Sequence, residues 1–259
     1  MKNVRKNLTT AISNKAGRSG GRVAVRHQGG GEKRRVRNID WKRNKVNITG
    51  RIEAIEYAPS RSANVALVLY DDGERRYILA TKNMKVDSSV MSGDKAPIEE
   101  GNATTLDRIP LGMPIHSIEL RPGKGGQMVR GAGTMATILA KEGGVAHIRL
   151  PSGELRKIPL SCQATIGQVG NEGHGLEKMT KAGQKRHKGI RPTVRGVAQH
   201  PGSHPHGGGE GRSGIGMPSP KTPWGKKTLG KKTRKKVKYS DKNILIKRRT
   251  KAQRRDGQK

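Results

Sequence analysis

The distribution of charge along the chain is the feature that most limits how it can fold. The sequence carries 54 Lys and Arg against 20 Asp and Glu, a formal net charge of +34. Residues 46–175 contain 15 basic and 14 acidic residues, whereas residues 1–45 contain 14 and 2, and residues 176–259 contain 25 and 4. Like charges at the density of the flanks repel, so the sequence predicts a near-neutral body between two basic arms that take a fixed shape only when a polyanion neutralises them.

Composition excludes several classes of protein. With hydrophobic residues at 31%, 36 Gly and no Phe, the 259 residues cannot all belong to one packed core. No apolar run approaches the roughly 18 residues of a membrane span, and residues 1–10 contain no apolar stretch typical of a signal peptide. The single Cys162 cannot form an internal disulfide, which fits a reducing compartment. We therefore expect no membrane association and no secretion.

The body has the pattern of short β-strands. Apolar and polar residues alternate from Val46, residues 65–70 form a short apolar run, and a Gly-containing turn at residues 71–74 leads into another strand-like segment, as in a hairpin. Further strand-like segments in the second half are residues 113–120, 135–140, 145–150 and 155–160. No segment shows a sustained helical period, and a break near residues 99–102 predicts two small all-β modules, each a closed or partly closed barrel.

The few aromatic residues indicate how such a protein would bind a polyanion. Two basic arms around a neutral body favour nucleic acid, because many Lys and Arg neutralise phosphates with release of counterions. Readers of single-stranded bases need aromatic platforms for stacking, yet the chain has only two Trp and four Tyr. Recognition of RNA shape and backbone is therefore the favoured mode.

Six segments of the chain carry a resemblance to a known family. They are RHQGGG at 26–31, RSANVALVLY at 61–70, DGERRYILA at 72–80, PGKGGQ at 122–127, RPTVRG at 191–196 and HPHGGGEG at 204–211. Together they closely resemble the family of large ribosomal subunit protein two, in its bacterial and organellar form. The resemblance extends from about Ser19 to Arg249.

The resemblance implies a fold and a set of partners. It implies an oligonucleotide-binding-fold (OB-fold) barrel followed by an SH3-like barrel, with a basic extension at residues 1–45, the barrels at 46–100 and 101–175, and a Gly- and Pro-rich basic extension at 176–259. The implied function is structural and not enzymatic: direct binding to 23S-type large-subunit ribosomal RNA (rRNA), supporting assembly, subunit association, tRNA positioning and the peptidyl transferase centre. The implied partners are the rRNA, other ribosomal proteins, the small subunit at an intersubunit bridge and nearby tRNA.

Cofactors and location follow from the same resemblance. We expect no cofactor apart from Mg²⁺ associated with the rRNA, no protein metal site and no homo-oligomer. The expected location is the cytoplasmic ribosome of a bacterium, with the mitochondrial or plastid ribosome as the alternative.

Two arginines are carried over as RNA-binding residues. Arg61 precedes the apolar run at 65–70, Arg130 follows a glycine pair, and each matches an arginine tied to RNA binding in the family. A guanidinium group can bind phosphate oxygens bidentately, and the small neighbours Ala63, Gly125, Gly126 and Gly131 are expected to let the RNA backbone approach closely. The further candidate RNA-binding residues are Arg26, Arg34, Arg37, Arg43, Lys185, Arg186, Arg191, Arg195, His204, His206, Arg212, Lys231, Lys232 and Arg234.

The string that begins at His204 matches the family segment nearest the catalytic RNA. We expect Gly207, Gly208 and Gly209 to lie against RNA near the peptidyl transferase centre, while His204 and His206 hydrogen-bond to phosphate or ribose. Ser203 stands where the family usually has Asp, which weakens any role for a carboxylate in orienting His204, and no catalytic residue is assigned.

Two other classes of protein remain open on the sequence alone. A metal-dependent hydrolase could use His200, His204, His206 and Glu210, since a His-x-His pair can chelate a divalent ion. Its setting in a strongly basic tail would repel that cation. A DNA-compacting protein would explain the charge, but two β modules with distinct loop motifs are more structure than charge neutralisation requires.

Overall fold

The structure, a computed structural model, describes residues 6–12, 16–209, 211–233 and 237–248. Strands dominate these residues and α-helix is almost absent, which confirms the predicted all-β class. Within the same ranges, no helix is long and apolar enough to cross a lipid bilayer.

The chain divides into two compact units. The body unit contains the described residues of Met1–Ile12, Lys33–Lys178 and Tyr239–Lys259, and the arm unit contains those of Ser13–Glu32 and Met179–Lys238. Both units combine segments that are distant in sequence. Neither basic arm therefore coincides with one unit.

The regular elements are short. In chain order the strands are β1 (Thr9–Ala11), β2 (Arg18–Ser19), β3 (Arg22–Val23), β4 (Arg35–Arg37), β5 (Gly50–Glu56), β6 (Val65–Tyr70), β7 (Arg75–Leu79), β8 (Ser89–Val90), β9 (Ala103–Thr105), β10 (Pro114–His116), β11 (Ala136–Glu142), β12 (Val145–Arg149), β13 (Leu155–Pro159), β14 (Gln163–Ile166) and β15 (Ile244–Ile246). The α-helix α1 spans Ala182–His187, and 3₁₀ turns span Glu172–Leu176, Gly196–Ala198 and Tyr239–Asn243.

A four-stranded antiparallel sheet forms the first half of the body unit, in the order β7-β6-β5-β8. Its strand β6 is buried on both faces, because Val65 and Leu67 belong to one apolar cluster while Val68 belongs to another. This double burial explains why the strand reads as a continuous apolar run. The register shifts between Ile52 and Ala54 of β5, and such a bulge adds the twist that a small curled sheet needs.

A seven-stranded antiparallel sheet forms the second half, in the order β15-β13-β12-β11-β10-β14-β9. Its core consists mainly of fully buried isoleucines that alternate with polar residues along the strands, including Ile115, Ile138, Ile148, Ile158 and Ile166. The register of β11 also shifts, between Ile138 and Ala140, which bends this sheet in turn.

Two strands differ in length from the sequence prediction, and both differences have a backbone cause. Strand β5 begins later than the alternation suggested, because Asn47 has φ of +59° and cannot belong to a strand. Strand β10 ends at His116, because the next residue, Ser117, has φ of +49°. The short strands β1, β2, β3, β4 and β8, and the strands β9, β14 and β15, were not predicted.

The arm unit is irregular, as expected, but its two arms pair with each other. The N–H of Gly29 donates to the carbonyl of Gly189 over 2.9 Å, and the N–H of Arg191 donates to the carbonyl of His27 over 3.0 Å. A Cβ atom on Gly31 would lie 2.8 Å from Cα of Gly189, so a glycine is required for this approach. The two motifs at 26–31 and 191–196 are thus partners in one substructure.

Candidate nucleic-acid interface

Three side chains from separate loops of the body unit meet at one place. The guanidinium carbon Cζ of Arg61 lies 4.5 Å from the centroid of the Trp41 ring, and that of Arg130 lies 4.6 Å from it. Both distances are within the range of cation–π attraction. All three residues are half-buried, and we call them the tryptophan cluster. The structure therefore brings together the two arginines that the sequence placed in different halves of the body.

Trp41 is held by a turn that its neighbour Asp40 organises. The Asp40 carboxylate accepts hydrogen bonds from the backbone N–H groups of Lys42 at 3.1 Å and Arg43 at 2.9 Å. It also accepts one from Nη1 of Arg76 at 2.9 Å, which ties the turn to strand β7. An Asp that caps the N–H groups after it fixes a turn locally, so the backbone at Trp41 is held by its own neighbours.

The glycine pair after Lys124 packs against Trp41 from within the chain. The N–H of Gly126 donates to the Trp41 carbonyl at 2.8 Å, and a Cβ on Gly126 would lie 2.1 Å from Oγ of Ser117. Gly125 has φ of +87°, and a Cβ there would lie 3.0 Å from the same carbonyl. The expectation that Gly125, Gly126 and Ala63 leave room for RNA is therefore wrong, because all three are buried and contact this chain itself.

Glu119 fixes the loop that carries this glycine pair, and the sequence analysis did not single it out. The side chain is buried, and its carboxylate accepts N–H groups from Gly123 at 3.2 Å, Gly125 at 2.7 Å and Gln163 at 3.0 Å. Three backbone donors satisfy the charge that burial would otherwise make costly. One acid inside the strand-like run at 113–120 was the only sequence signal for this role.

The positive charge of the tryptophan cluster has no acidic partner among the residues that the structure describes. Other body arginines have carboxylate partners, as in the 2.8 Å ion pair between Nε of Arg75 and Glu53. Within the described ranges, neither Arg61 nor Arg130 forms an ion pair, and Nε of Arg61 is buried without a hydrogen-bond partner. Burial, followed by the charge of Arg130, lowers the pKa of Arg61 from its ordinary value. Two like charges held together at a half-buried position favour binding of an anion.

Arg43 has a different environment from the other candidate arginines. It is 6% exposed, and its Nη2 donates to the carbonyl of Gly101 at 3.1 Å. Desolvation by burial lowers its pKa, against smaller opposing effects of Tyr70 and Asp40. The structure gives Arg43 a role inside the body, and we leave it out of the proposed RNA contacts.

Most of the remaining basic candidates are accessible. The exposed ones are Arg26, Lys185, Arg191, Arg195, Arg212, Lys231 and Lys232, and the half-buried ones are Arg34, Arg37 and Arg186. Arg26 lies over the Trp224 ring, with Cζ 5.2 Å from its centroid, and Arg37 pairs with Glu56 at 3.6 Å. Arg234 lies outside the described residues.

The histidine string of the arm unit folds around its own rings. His204 is 8% exposed, and a Cβ on Gly196 would lie within 2.7 Å of three atoms of its ring. Nδ1 of His204 accepts the N–H of His206 at 3.0 Å, and Nε2 of His206 accepts the N–H of Lys221 at 2.9 Å. An accepting nitrogen carries no proton, so each neutral ring holds its proton on the other nitrogen.

The three glycines that follow are close to the segment before them. A Cβ on Gly207 would lie 2.5 Å from the His200 carbonyl oxygen, and the N–H of Gly208 donates to the carbonyl of Gln199 at 3.2 Å. Gly208 and Gly209 have φ of +88° and +86°, which glycine adopts without strain. The segment is therefore a compact turn that folds against residues 199–200.

The hydrolase alternative finds no support in this geometry. Among the ranges that the structure describes, there is no group of three or more His, Cys, Asp or Glu side chains placed to hold a metal ion. Glu210, one of the ligands considered, lies outside those ranges. One nitrogen of each ring of the His204 and His206 pair is already occupied by a backbone donor.

A small all-β body with two guanidinium groups that lack a carboxylate partner among the described residues, together with two basic arms, is typical of a nucleic-acid-binding protein. Two family models match the chain: "Ribosomal Proteins L2, RNA binding N-terminal domain" over residues 5–92, and "Ribosomal Proteins L2, C-terminal domain" over residues 99–225. The chain belongs to the ribosomal protein L2 family.

Membership confirms several expectations from the sequence. The two matched domains fit an OB-fold barrel followed by an SH3-like barrel. The family is a structural component of the large ribosomal subunit that binds RNA and sits among other ribosomal proteins, and it is not an enzyme and has no known cofactor. Trp41 and Arg61 lie in the first matched region and Arg130 in the second, so the tryptophan cluster joins the two domains.

Proposed function

We propose that this protein binds large-subunit rRNA directly, with the tryptophan cluster as a fixed phosphate contact and the arms as its electrostatic extension. The observation that carries the proposal is the pair of guanidinium groups, Arg61 and Arg130, that share the Trp41 ring and have no carboxylate partner among the described residues. Their mutual repulsion is relieved when an anion binds between or beside them.

The chemistry of the cluster favours phosphate over other anions of RNA-binding sites. A guanidinium group offers a planar fork of donors that matches two phosphate oxygens, and it stacks on an aromatic ring without losing those donors. Because Asp40 and Glu119 fix the surrounding loops through backbone hydrogen bonds, the cluster loses little conformational freedom when RNA binds. Accessible arginines and lysines of the arm unit add contacts that depend strongly on salt.

The same function extends to assembly and to the peptidyl transferase centre. We propose that the arms support assembly, subunit association at an intersubunit bridge and tRNA positioning, and that the His204 string lies near the catalytic RNA. The contacts of His204 support a role in which its ring shapes the turn that would bring Gly207–Gly209 near the RNA, while Gly207 itself packs on the His200 carbonyl. Mg²⁺ in such a site would be held by the rRNA. The proposed location is a bacterial ribosome, with an organellar ribosome as the alternative.

Substitution of the two arginines tests the central contact. In filter binding to a large-subunit rRNA transcript, Arg61→Ala and Arg130→Ala should each weaken binding by about 1–3 kcal/mol, the range for hydrogen bonds to charged groups. Arg51→Ala is the matched control, since Arg51 is an exposed body arginine whose charge is already paired with Asp87 at 3.5 Å.

The control should bind within about twofold of the wild type, as expected for a surface residue without a phosphate contact. Equal losses in all three variants would mean that only total charge matters, and no loss in any variant would remove the assignment.

For the histidine string, large subunits carrying His204→Ala should assemble but show impaired function. Normal peptide-bond formation and normal subunit association would contradict the proposed place of His204.

A further inference from the structure

A groove on the second half of the body unit is separate from the tryptophan cluster. It encloses about 480 Å³ between the loop at 121–127, strands β12 and β13, and the turn Tyr239–Asn243. None of its lining residues is acidic, and five are basic: Arg121, Lys124, Arg156, Lys157 and Lys242. The turn lies beyond residue 225, where the family match ends.

The far wall of the groove is built by the C-terminal segment. Strand β15 pairs antiparallel with β13, with Ile246 opposite Leu155 and Ile244 opposite Arg156. This pairing covers the edge of β13 and fixes the 3₁₀ turn immediately before β15. On the opposite side, Glu119 holds the loop that carries Lys124 through hydrogen bonds to two of its N–H groups. Both walls are therefore set by backbone hydrogen bonds.

The groove offers an aromatic face beside its cations. Tyr239 lines the groove and is 84% exposed, so its ring is available to a flat ligand. Arg156 is turned inward, with Nε buried and without a hydrogen-bond partner, and its contact with Glu154 is a long one of 3.8 Å. Positive charge without acidic lining, next to an exposed ring, is the combination found where proteins bind single-stranded nucleic acid.

We propose that this groove binds an unpaired nucleotide of RNA, with the base stacked on Tyr239 and the flanking phosphates held by Lys124, Lys157 and Lys242. The inference rests on the proposed rRNA-binding function and adds a second contact of a different kind. A duplex would present phosphates but would keep its base faces covered, and an acidic peptide would leave the ring unused. The ring therefore selects single-stranded RNA over these other polyanions.

Fluorine NMR of the full chain labelled with 3-fluorotyrosine reports on the site directly. The chain has four tyrosines, and Tyr239→Phe assigns the resonance of interest. Titration with an adenosine RNA hexamer should shift the Tyr239 resonance to saturation. The resonance of Tyr57, another exposed tyrosine of the body unit, should stay within the linewidth and serves as the internal control.

Charge variants test the phosphate contacts at the same probe. Replacing Lys157 and Lys242 by Ala should weaken the affinity reported by the Tyr239 resonance at least about fivefold, because two phosphate contacts are lost. The matched control replaces Lys85 and Lys95, two exposed lysines of the first half, and removes the same charge from the chain. The control should leave the reported affinity within about twofold.

Each outcome decides the proposal. A saturating shift with the hexamer, and none with an RNA duplex or with polyglutamate, supports it. A silent Tyr239, an equal shift with the duplex or with polyglutamate, or equal losses in both lysine pairs would overturn it. If the Tyr239 resonance does not respond as described but Arg61→Ala and Arg130→Ala still weaken transcript binding, only the groove proposal is overturned. If the Tyr239 resonance responds but the two arginine variants bind the transcript as the wild type does, the tryptophan cluster is overturned as a phosphate contact.

Discussion

In the body unit, Arg61 and Arg130 keep their charged ends free of carboxylates, whereas in the arm unit His204 and His206 use ring nitrogens to bind backbone N–H groups of their own segment. Both regions contain sequence motifs that we singled out as candidate RNA-binding segments. In the first, hydrogen bonds from Asp40 and Glu119 fix the loops around side chains whose charge has no carboxylate partner among the described residues. In the second, the side chains themselves fix the segment. A side chain that hydrogen-bonds to the backbone of its own unit is therefore better assigned a role in holding the fold than a role in contacting a ligand.

The largest effect on stability is expected at Gly126, where the loop at 121–127 packs most closely on the rest of the body unit. Gly126→Ala places a Cβ 2.1 Å from Oγ and 2.5 Å from the carbonyl oxygen of Ser117, so the loop must move away from Ser117. The free energy of unfolding should fall by about 3 kcal/mol, as for other overpacked sites. Chemical denaturation measures this change. Gly173→Ala, where a Cβ meets no atom within 4 Å, is the control and should change stability by less than about 1 kcal/mol. Equal stability of both variants would contradict the described packing.

A slightly smaller effect is expected from the buried histidine of the body. His116 is 1% exposed and its Nδ1 donates to the carbonyl of Gly167 at 2.9 Å. Burial lowers the pKa of His116 to about 4, against the opposing effect of that hydrogen bond. In the unfolded chain the pKa of His116 is near 6.5, so as the pH falls the unfolded state binds the proton before the folded state does. The contribution is fully present above about pH 6.5 and is lost as the pH falls through 4, about 2–3 kcal/mol in all.

Stability measured from pH 7 to pH 4 tests the role of His116. His116→Gln should remove this part of the pH dependence, while His147→Gln, at a half-buried histidine of β12, should leave it in place. Parallel curves for the wild type and His116→Gln would show that His116 does not titrate between the folded and unfolded states as described.

The histidine string should show a local effect of about 1 kcal/mol. His204→Ala removes the acceptor of the His206 N–H, so hydrogen exchange at that amide should quicken by about fivefold while amides of β6 stay unchanged. His204→Asn places an acceptor near the position of Nδ1 and should restore part of the protection. Unchanged exchange in His204→Ala would mean that the ring does not hold the turn.

The smallest effect is the coupling within the tryptophan cluster. If Arg61 and Arg130 bind one phosphate group through the shared Trp41 ring, the double variant should lose about 0.5–1 kcal/mol less rRNA affinity than the sum of the single variants. Trp41→Phe keeps an aromatic face and should bind nearly as the wild type, whereas Trp41→Leu should resemble the double variant. Strict additivity would separate the two arginines into independent contacts.

Much of the fold followed from the sequence because its signals are local. The apolar run at 65–70, the turn at 71–74 and the alternation at 145–150 depend only on neighbouring residues, and each gave a strand or turn close to the observed one. Strand β15 could not be predicted in this way. Its pairing with β13 joins residues about 90 positions apart, and nothing within the segment indicates that partner.

The sequence pointed to the arginines of the tryptophan cluster as candidates, but it could not show how they are arranged. Arg61 and Arg130 were named from motifs, yet only tertiary structure shows that they share Trp41, and the burial of Arg43 depends on contacts with Gly101 far along the chain. Glu119 was missed because the three N–H groups that it binds come from the loop at 121–127 and from the start of strand β14, about 40 residues further along the chain. Gly125 and Gly126 were misassigned for the same reason, because a glycine can be required where two segments of the same chain approach closely as well as where a ligand approaches the backbone.

The dependence of rRNA binding on salt tests the central claim most directly. A phosphate contact contributes about one unit to the slope of log K against log salt concentration. The variant that replaces both Arg61 and Arg130 by Ala should therefore show a slope about 1–2 units shallower than the wild type, while Arg51→Ala keeps the wild-type slope. A slope unchanged by the double replacement, or equally reduced by Arg51→Ala, would contradict the assignment of the tryptophan cluster as a phosphate contact.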